Sequence, residues 1–237
     1  MILCIDCGNT RLKWAWHDGR QWSGDGAAPR AATAQLAGLV GAGPAPHRIM
    51  VANVAGDAVL AAVADALGGW RDRLVVARST AAACGVTNGY GKPGSLGVDR
   101  WCALIGAWSL VGGACVVVGA GTATTIDSLD AGGRFRGGFI LPGLDLMAAA
   151  LAGNTAGLPR AAGSYAEFPT ATEDAIYSGA VEATCGAVER ACARLAGAPC
   201  LLFGGAAPHL AGRLGVASRS EPRLVLEGLH RLAREAA

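Results

Sequence analysis

The residues Asp6-Cys7-Gly8-Asn9-Thr10-Arg11-Leu12-Lys13 set an acid, a tight turn and a lysine side by side. The apolar run from Met1 to Ile5 ahead of them is short and rich in strand formers, which predicts a β-hairpin whose turn exposes backbone N–H groups. Those donors, with Thr10 and Lys13, have the chemistry to cradle phosphate, and Asp6 stands where a magnesium-bound water could be held. An ordinary hairpin with an exposed acid fits the same residues. A second cluster follows residues 79–97, a loop dense in turn formers from Asn88 to Gly97 and long enough to suggest function rather than simple connection. It leads into Val98-Asp99-Arg100-Trp101, the first turn of an apolar helix through Leu110. An acid and a guanidinium there lie beside unpaired helix N–H donors. A capping acid with a solvated arginine is the alternative.

The elements that must position these residues read as a repeat. In the first half, Arg20 to Gly26 continues the hairpin as a third strand. Thr33 to Val40 is a modest helix, His47 to Val54 a strand, and Asp57 caps a helix that stops at Gly68-Gly69. Leu74 to Ala77 is a further strand. The opening pattern then recurs. Ala114 to Val118 is a buried strand, Gly119-Ala120-Gly121-Thr122 a glycine turn, and Ala123 to Leu129 a return strand carrying Thr124, Thr125 and Asp127. Asp130 to Gly133 is a hairpin turn into a third strand from Arg134 to Leu141. Pro142 opens a helix through Ala152, and residues 153–169 form a loop. Thr170 to Ala196 has the apolar spacing of a long helix. Pro199 to Phe203 is a strand ending at Gly204-Gly205-Ala206, where glycines allow a flat ring or phosphate to approach the backbone, and Leu224 to Ala236 is a closing amphipathic helix. The duplication predicts two mixed α/β domains, 1–112 and 113–237, with the final helix in the second.

Composition narrows the function classes. Hydrophobic residues at 52% against 16% charged ones describe a folded domain with a core rather than a disordered chain. A net charge of +2, without a basic run, gives no case for nucleic acid. The longest apolar stretches are too short for a membrane span, and Asp6 interrupts what would be the core of a signal peptide. The eight cysteines, including Cys4 and Cys7 on one strand, lack the spacing of a zinc set and read as small buried hydrophobes in a reducing cytoplasm. The four histidines fall outside the motifs and read as surface or edge residues. Trp101, next to the Asp-Arg pair, is a candidate for lining an acceptor pocket or a subunit contact.

Two phosphate-type hairpins, one per half, and a late glycine pair resemble the acetate and sugar kinase, Hsp70 and actin superfamily. Within it the chain resembles the type III pantothenate kinases, also known as Bvg accessory factors. The resemblance spans nearly the whole chain. It rests on Asp6-Cys7-Gly8-Asn9-Thr10, Tyr90-Gly91-Lys92-Pro93 leading to Leu96-Gly97-Val98-Asp99-Arg100, Gly121-Thr122-Ala123-Thr124-Thr125-Ile126-Asp127, Gly137 to Gly143, and Thr172-Glu173-Asp174-Ala175-Ile176. It implies two duplicated RNase H-like domains of the actin-like ATPase type, with mixed β-sheets flanked by helices and a nucleotide cleft between them. The activity implied is ATP-dependent phosphorylation of pantothenate, the first step toward coenzyme A.

On that resemblance Asp6, Cys7, Gly8, Asn9, Thr10, Arg11, Leu12 and Lys13 hold the ATP phosphates, with Thr122 joining from the second half and Asp6 positioning Mg2+. Tyr90, Gly97, Val98, Asp99 and Arg100 form the pantothenate site, and Asp99 is the general base. Arg100 either binds the pantothenate carboxylate or amide, or neutralises charge. Thr172 contacts pantothenate across a homodimer interface. The family also uses a monovalent cation, K+ or NH4+, held partly by an acid two residues before the glycine of the second hairpin, Gly121 in this chain. Gly119 stands at that position here, which puts the cation site in doubt. Another small-molecule kinase on this scaffold, or a nucleotide-binding accessory protein without turnover, is the competing reading.

Overall fold

The computed structural model describes residues 1–41, 45–155, 158 and 163–235. These divide into two units. The first comprises Met1–Gly112, Gly133–Phe135 and the residues from Arg223 on, and the second Gly113–Gly132 and Arg136–Pro222.

In the first unit, β1 (Ile2–Cys7), β2 (Arg11–His17) and β3 (Trp22–Pro29) form an antiparallel meander. A 3-10 turn over Arg30–Gln35 runs into the short α1 (Leu36–Leu39). Next come β4 (Arg48–Asn53), α2 (Asp57–Ala66) and β5 (Leu74–Val76). β4 lies parallel to β1 and β5 parallel to β4, giving the sheet order β3-β2-β1-β4-β5. Strand alternation sends Leu3, Ile5, Cys7, Leu12, Trp14 and Trp16 to one face, where they pack with Leu36, Val40, Val63 and Leu67. The loop expected over residues 79–97 contains a small hairpin of β6 (Ala82–Ala83) and β7 (Val86–Thr87) before α3 (Val98–Val111) begins.

The second unit repeats the plan. β8 (Cys115–Ala120), β9 (Ala123–Leu129) and β10 (Phe135–Pro142) are followed by α4 (Leu144–Asn154), α5 (Thr172–Arg194) and β11 (Cys200–Phe203). The short α6 (Ala207–Ala211) and β12 (Ser218–Ser220) complete it, with sheet order β10-β9-β8-β11-β12. Val116, Val118, Ala120, Ile126 and Leu202 meet Val181, Cys185, Val188 and Cys192 of α5 on one face. Both sheets carry the same strand order, as a duplication requires.

The last helix, α7 (Leu224–Glu235), departs from the expected division: it belongs to the first unit, not to 113–237. The reason is a helix crossing on small residues. A Cβ added to Gly228 would collide with the Cys102 carbonyl oxygen, and one on Gly106 with the Leu224 carbonyl oxygen. The two backbones therefore touch, which side chains larger than hydrogen forbid at those points. Helix starts also differ in detail. Gly56, at φ 94°, is the N-cap of α2, and Asp57 lies inside the first turn. Pro142 ends β10, and the helix after it starts two residues on, at Leu144. Of the loop expected over 153–169, residues 156, 157 and 159–162 lie outside the described residues, as does Ala236 at the end of the expected closing helix.

Two histidines are interior rather than surface residues. His17 and His230 stack with ring centroids 3.7 Å apart, each with Trp22 at its edge. Burial lowers the pKa of both, that of His230 to about 4. Trp101 is fully buried and packs the interior of α3 instead of lining a pocket.

Candidate active site

The first turn is closed by the Gly8 N–H, which donates to the Arg11 carbonyl at 3.0 Å, leaving Asn9 and Thr10 exposed at its tip. Asp6 and Lys13 are direct cross-strand partners and so share a face of the sheet. Asp6 is buried, and its pKa is pushed up to about 7. Desolvation is the main cause; the charge of Lys13 opposes it and that of Asp99 reinforces it. The buried Cys102 thiol is raised by desolvation and then by the same two acids, which places Asp6 and Asp99 in one neighbourhood of the first unit. Two carboxylates with one lysine leave negative charge to be met by a cation, so this donor set fits a hydrated divalent ion.

The loop over residues 79–97 is built around Asn88, a buried residue that bridges three segments. Its Nδ2 donates to the Thr80 and Pro93 carbonyls, both at 3.1 Å, and its Oδ1 accepts from the Tyr90 N–H at 3.0 Å. Ser79 Oγ ties the far end by donating to the Leu96 carbonyl at 2.8 Å. Gly97 is the N-cap of α3, and a Cβ there would stand 2.8 Å from Asp99 Oδ1. The absent side chain lets the Asp99 carboxylate fold over the helix start, where it accepts from the Arg100 N–H at 2.8 Å. Arg100 is buried at 5% exposure. Its Nη1 donates to Tyr90 Oη at 3.0 Å, and its guanidinium lies over the rings of Tyr90 and Phe135 at 5.7 and 5.8 Å. A planar cation held on two rings is pre-oriented for a planar anionic group.

In the second unit the Gly121 N–H donates to the Ala123 carbonyl at 3.1 Å, with Thr122 exposed between them. This turn is one residue shorter than the first, since Ala120 pairs with Thr124 whereas Cys7 pairs with Leu12. The Gly143 N–H donates to the Thr122 carbonyl at 2.9 Å, and a Cβ on Gly143 would strike the turn's carbonyls. Gly204, at φ 97°, lies against the Ala120 backbone, while Gly205 faces open space. Of the two late glycines, the first is thus a packing requirement and only the second leaves room for a ligand. Thr172 is exposed as the first residue of α5.

The structure thus brings Asp6 to Lys13, Tyr90, Gly97, Val98, Asp99 and Arg100 into the first unit, and carries Thr122 and Thr172 in the second. Sequence reasoning passed over Phe135, which joins the first unit with Gly133 and Arg134 and supplies the second ring under Arg100. Nothing local marks it. Asn88 was signalled only as one turn former among many.

Two like sheets, each with a glycine turn after its first strand, define an α/β protein of the actin-like ATPase and sugar-kinase fold. The chain aligns over 99% of its length with a solved structure described as a Baf family transcriptional activator from Campylobacter jejuni, at TM-score 0.66, 20% identity and 98% coverage of that chain. It also aligns over its full length with one described as an N-acetylmannosamine kinase from Listeria monocytogenes, at TM-score 0.55, 14% identity and 99% coverage of that chain. At such identities the likeness speaks for the fold alone. Sequence comparison goes further. The type III pantothenate kinase family matches residues 2–194. The type III pantothenate kinase of Dechloromonas aromatica is 50% identical over 98% of this chain and 99% of its own, and that of Aromatoleum aromaticum is 51% identical over 99% and 98%. The chain belongs to the type III pantothenate kinase family.

Proposed function

We propose that this protein transfers the γ-phosphoryl group of ATP to the primary hydroxyl of pantothenate, giving 4'-phosphopantothenate at the start of coenzyme A biosynthesis. Beside family membership, the observation that carries this reading is that the charge of Asp99, an acceptor-loop acid, helps raise the pKa of Asp6, a phosphate-turn acid of the same unit. Phosphoryl transfer demands alignment and charge neutralisation more than covalent help.

In this reading the backbone of residues 6–13, with Thr10 and Lys13, holds the ATP phosphates, and Thr122 is a further phosphate ligand. Asp6 holds the magnesium site. Magnesium, when bound, neutralises charge on the phosphates. Asp99 accepts the proton of the attacking hydroxyl, one oxygen being steadied by the Arg100 N–H. Gly97 and Val98 present backbone at the helix start. Arg100, oriented by Tyr90 and Phe135, takes the pantothenate carboxylate, because a guanidinium fixed on two rings suits a planar anion better than a diffuse charge.

Thr172 is a pantothenate contact supplied by a second copy of the chain. A homodimer is supported by the apolar surface of the second unit. The edge strand β10 exposes Phe139 and Ile140, α4 exposes Leu146 and Leu151, and Phe168 is 87% exposed. A cytoplasmic setting is supported by the eight cysteines, all present as thiols, with Cys192 and Cys200 hydrogen-bonded to one another. No helix among the described residues is long and apolar enough to cross a membrane.

The test is ADP formation with pantothenate against a panel of sugars and other alcohols. Turnover confined to pantothenate supports the reading. Turnover with sugars alone replaces it with another kinase activity, and no turnover with any acceptor replaces it with an accessory role.

A further inference from the structure

Thr125, Gly119 and Phe203 stand in one row across β9, β8 and β11, since Gly119 pairs with Thr125 on one side and with Phe203 on the other. Paired residues project to the same face, here the face opposite the α5 core. A Cβ built on Gly119 would lie 2.7 Å from Phe203 Cζ, 3.1 Å from its Cε1 and 2.9 Å from Thr125 Oγ1. The phenyl ring therefore occupies the space into which any side chain at 119 would grow. This is the way an aromatic neighbour covers a glycine in a sheet.

The family resemblance asks for a carboxylate at this position, as part of a monovalent-cation site. The residues present do not fit such an ion. An alkali cation needs several oxygen ligands, and this row offers one threonine hydroxyl against the hydrocarbon edge of a ring. Asp127, one residue pair further along the same face, is buried at 1% exposure and already engaged in another interaction. An aspartate at 119 would have to expel the ring before it could bind anything.

The same neighbourhood is braced by protein contacts. The Ala120 carbonyl accepts from the Ala206 N–H at 3.0 Å, and Gly204 packs on the Ala120 backbone. Ala120 leads directly into the Gly121-Thr122 turn. The end of β11, ring included, is thus clamped to the strand that carries the second phosphate turn.

We propose that the Phe203 ring stands in place of the monovalent cation, and that this protein binds and uses ATP without potassium or ammonium. The proposal rests on the ATP-dependent kinase reading. Its test compares KCl, NH4Cl and tetramethylammonium chloride at one ionic strength. Turnover is measured, and so is the melting temperature with a non-hydrolysable ATP analogue and Mg2+.

The expected result is an ATP KM and kcat equal within about twofold in all three salts, with no melting shift specific to K+ or NH4+. A rise of about tenfold or more in ATP KM in tetramethylammonium, or a nucleotide-dependent stabilisation seen only with K+ or NH4+, overturns the proposal. Opening the site gives a second arm. Phe203→Ala should raise ATP KM several-fold in every salt, and Gly119→Asp combined with Phe203→Ala should make that KM respond to K+. The milder Phe203→Leu serves if the alanine variant folds poorly. A double variant indifferent to K+, beside a Phe203→Ala protein that matches the wild type, also overturns the proposal. Should pantothenate not be phosphorylated in any salt, the functional reading fails while the melting measurement still decides the cation question.

Discussion

The charge of Asp99, at the start of α3, adds to burial in holding a proton on Asp6, at the end of β1. With its pKa near 7, against 3.8 for an ordinary aspartate, Asp6 in the ligand-free protein keeps its proton up to neutral pH. If Asp6 holds magnesium as proposed, the ion requires its ionised form, and binding must release that proton. Affinity for MgATP is therefore expected to rise with pH through about 7 and to level off above it, and calorimetry in buffers of different ionisation enthalpy reads the released proton directly. Replacing Asp99 by Asn removes one upward push and should move this profile toward acid. A profile unchanged by Asp99→Asn would separate the two residues.

The same substitution tests the base. Asp99→Asn keeps the shape of the side chain and its hydrogen bond from the Arg100 N–H but cannot accept a proton from the acceptor hydroxyl. It should lower kcat on the order of 10²-fold or more with a modest effect on pantothenate KM. A kcat within about twofold of wild type means that the proton goes elsewhere.

Asn88→Ala should act on the acceptor rather than on ATP. It strips two carbonyls of their donor and frees the Tyr90 N–H, and with them the seat of Arg100. A loss of about 1–3 kcal/mol per unsatisfied buried group predicts a pantothenate KM raised on the order of tenfold, with ATP KM little changed. An equal rise in both constants in steady-state kinetics would point to general loosening instead.

Ile140→Asp places a charge in the exposed apolar run of the edge strand β10. Light scattering should give a particle of about 24 kDa for this variant and twice that for wild type. If Thr172 serves the neighbouring copy, the monomeric variant should also bind pantothenate poorly. A wild-type protein that is monomeric and fully active removes the shared-site assignment.

Gly228→Ala forces a methyl group into the Cys102 carbonyl at the α3–α7 crossing. Overpacking of this kind costs about 1–3 kcal/mol and should appear as a lower melting temperature. Gly179→Ala, in α5 with open space around it, should leave the melting temperature unchanged or higher.

What could be read from the chain, and what could not, divides by sequence distance. Both hairpins, the start of α3 and the repeated strand order lie in local patterns of alternation, turn residues and caps, and those survive in the structure within a residue or two. The acids and the arginine were visible for the same reason, each lying in a turn-rich stretch. Phe135 under Arg100, and α7 against α3, depend on residues far apart in sequence, and nothing near Phe135 or Gly228 announces the partner. The histidines misled because His17 and His230 are each unremarkable alone and become an interior pair only when β2 and α7 meet.

The placement of α7 also bears on how the protein comes into being. A ribosome makes the strands of the first unit early, then the whole of the second unit, and only afterwards the helix whose backbone must touch α3. Domains tend to fold as they emerge, N-terminal first. Here the earlier-made half holds an uncovered helix face until the later-made half has left the ribosome. The nascent first unit is thus the stage at which a chaperone or a protease would find this chain.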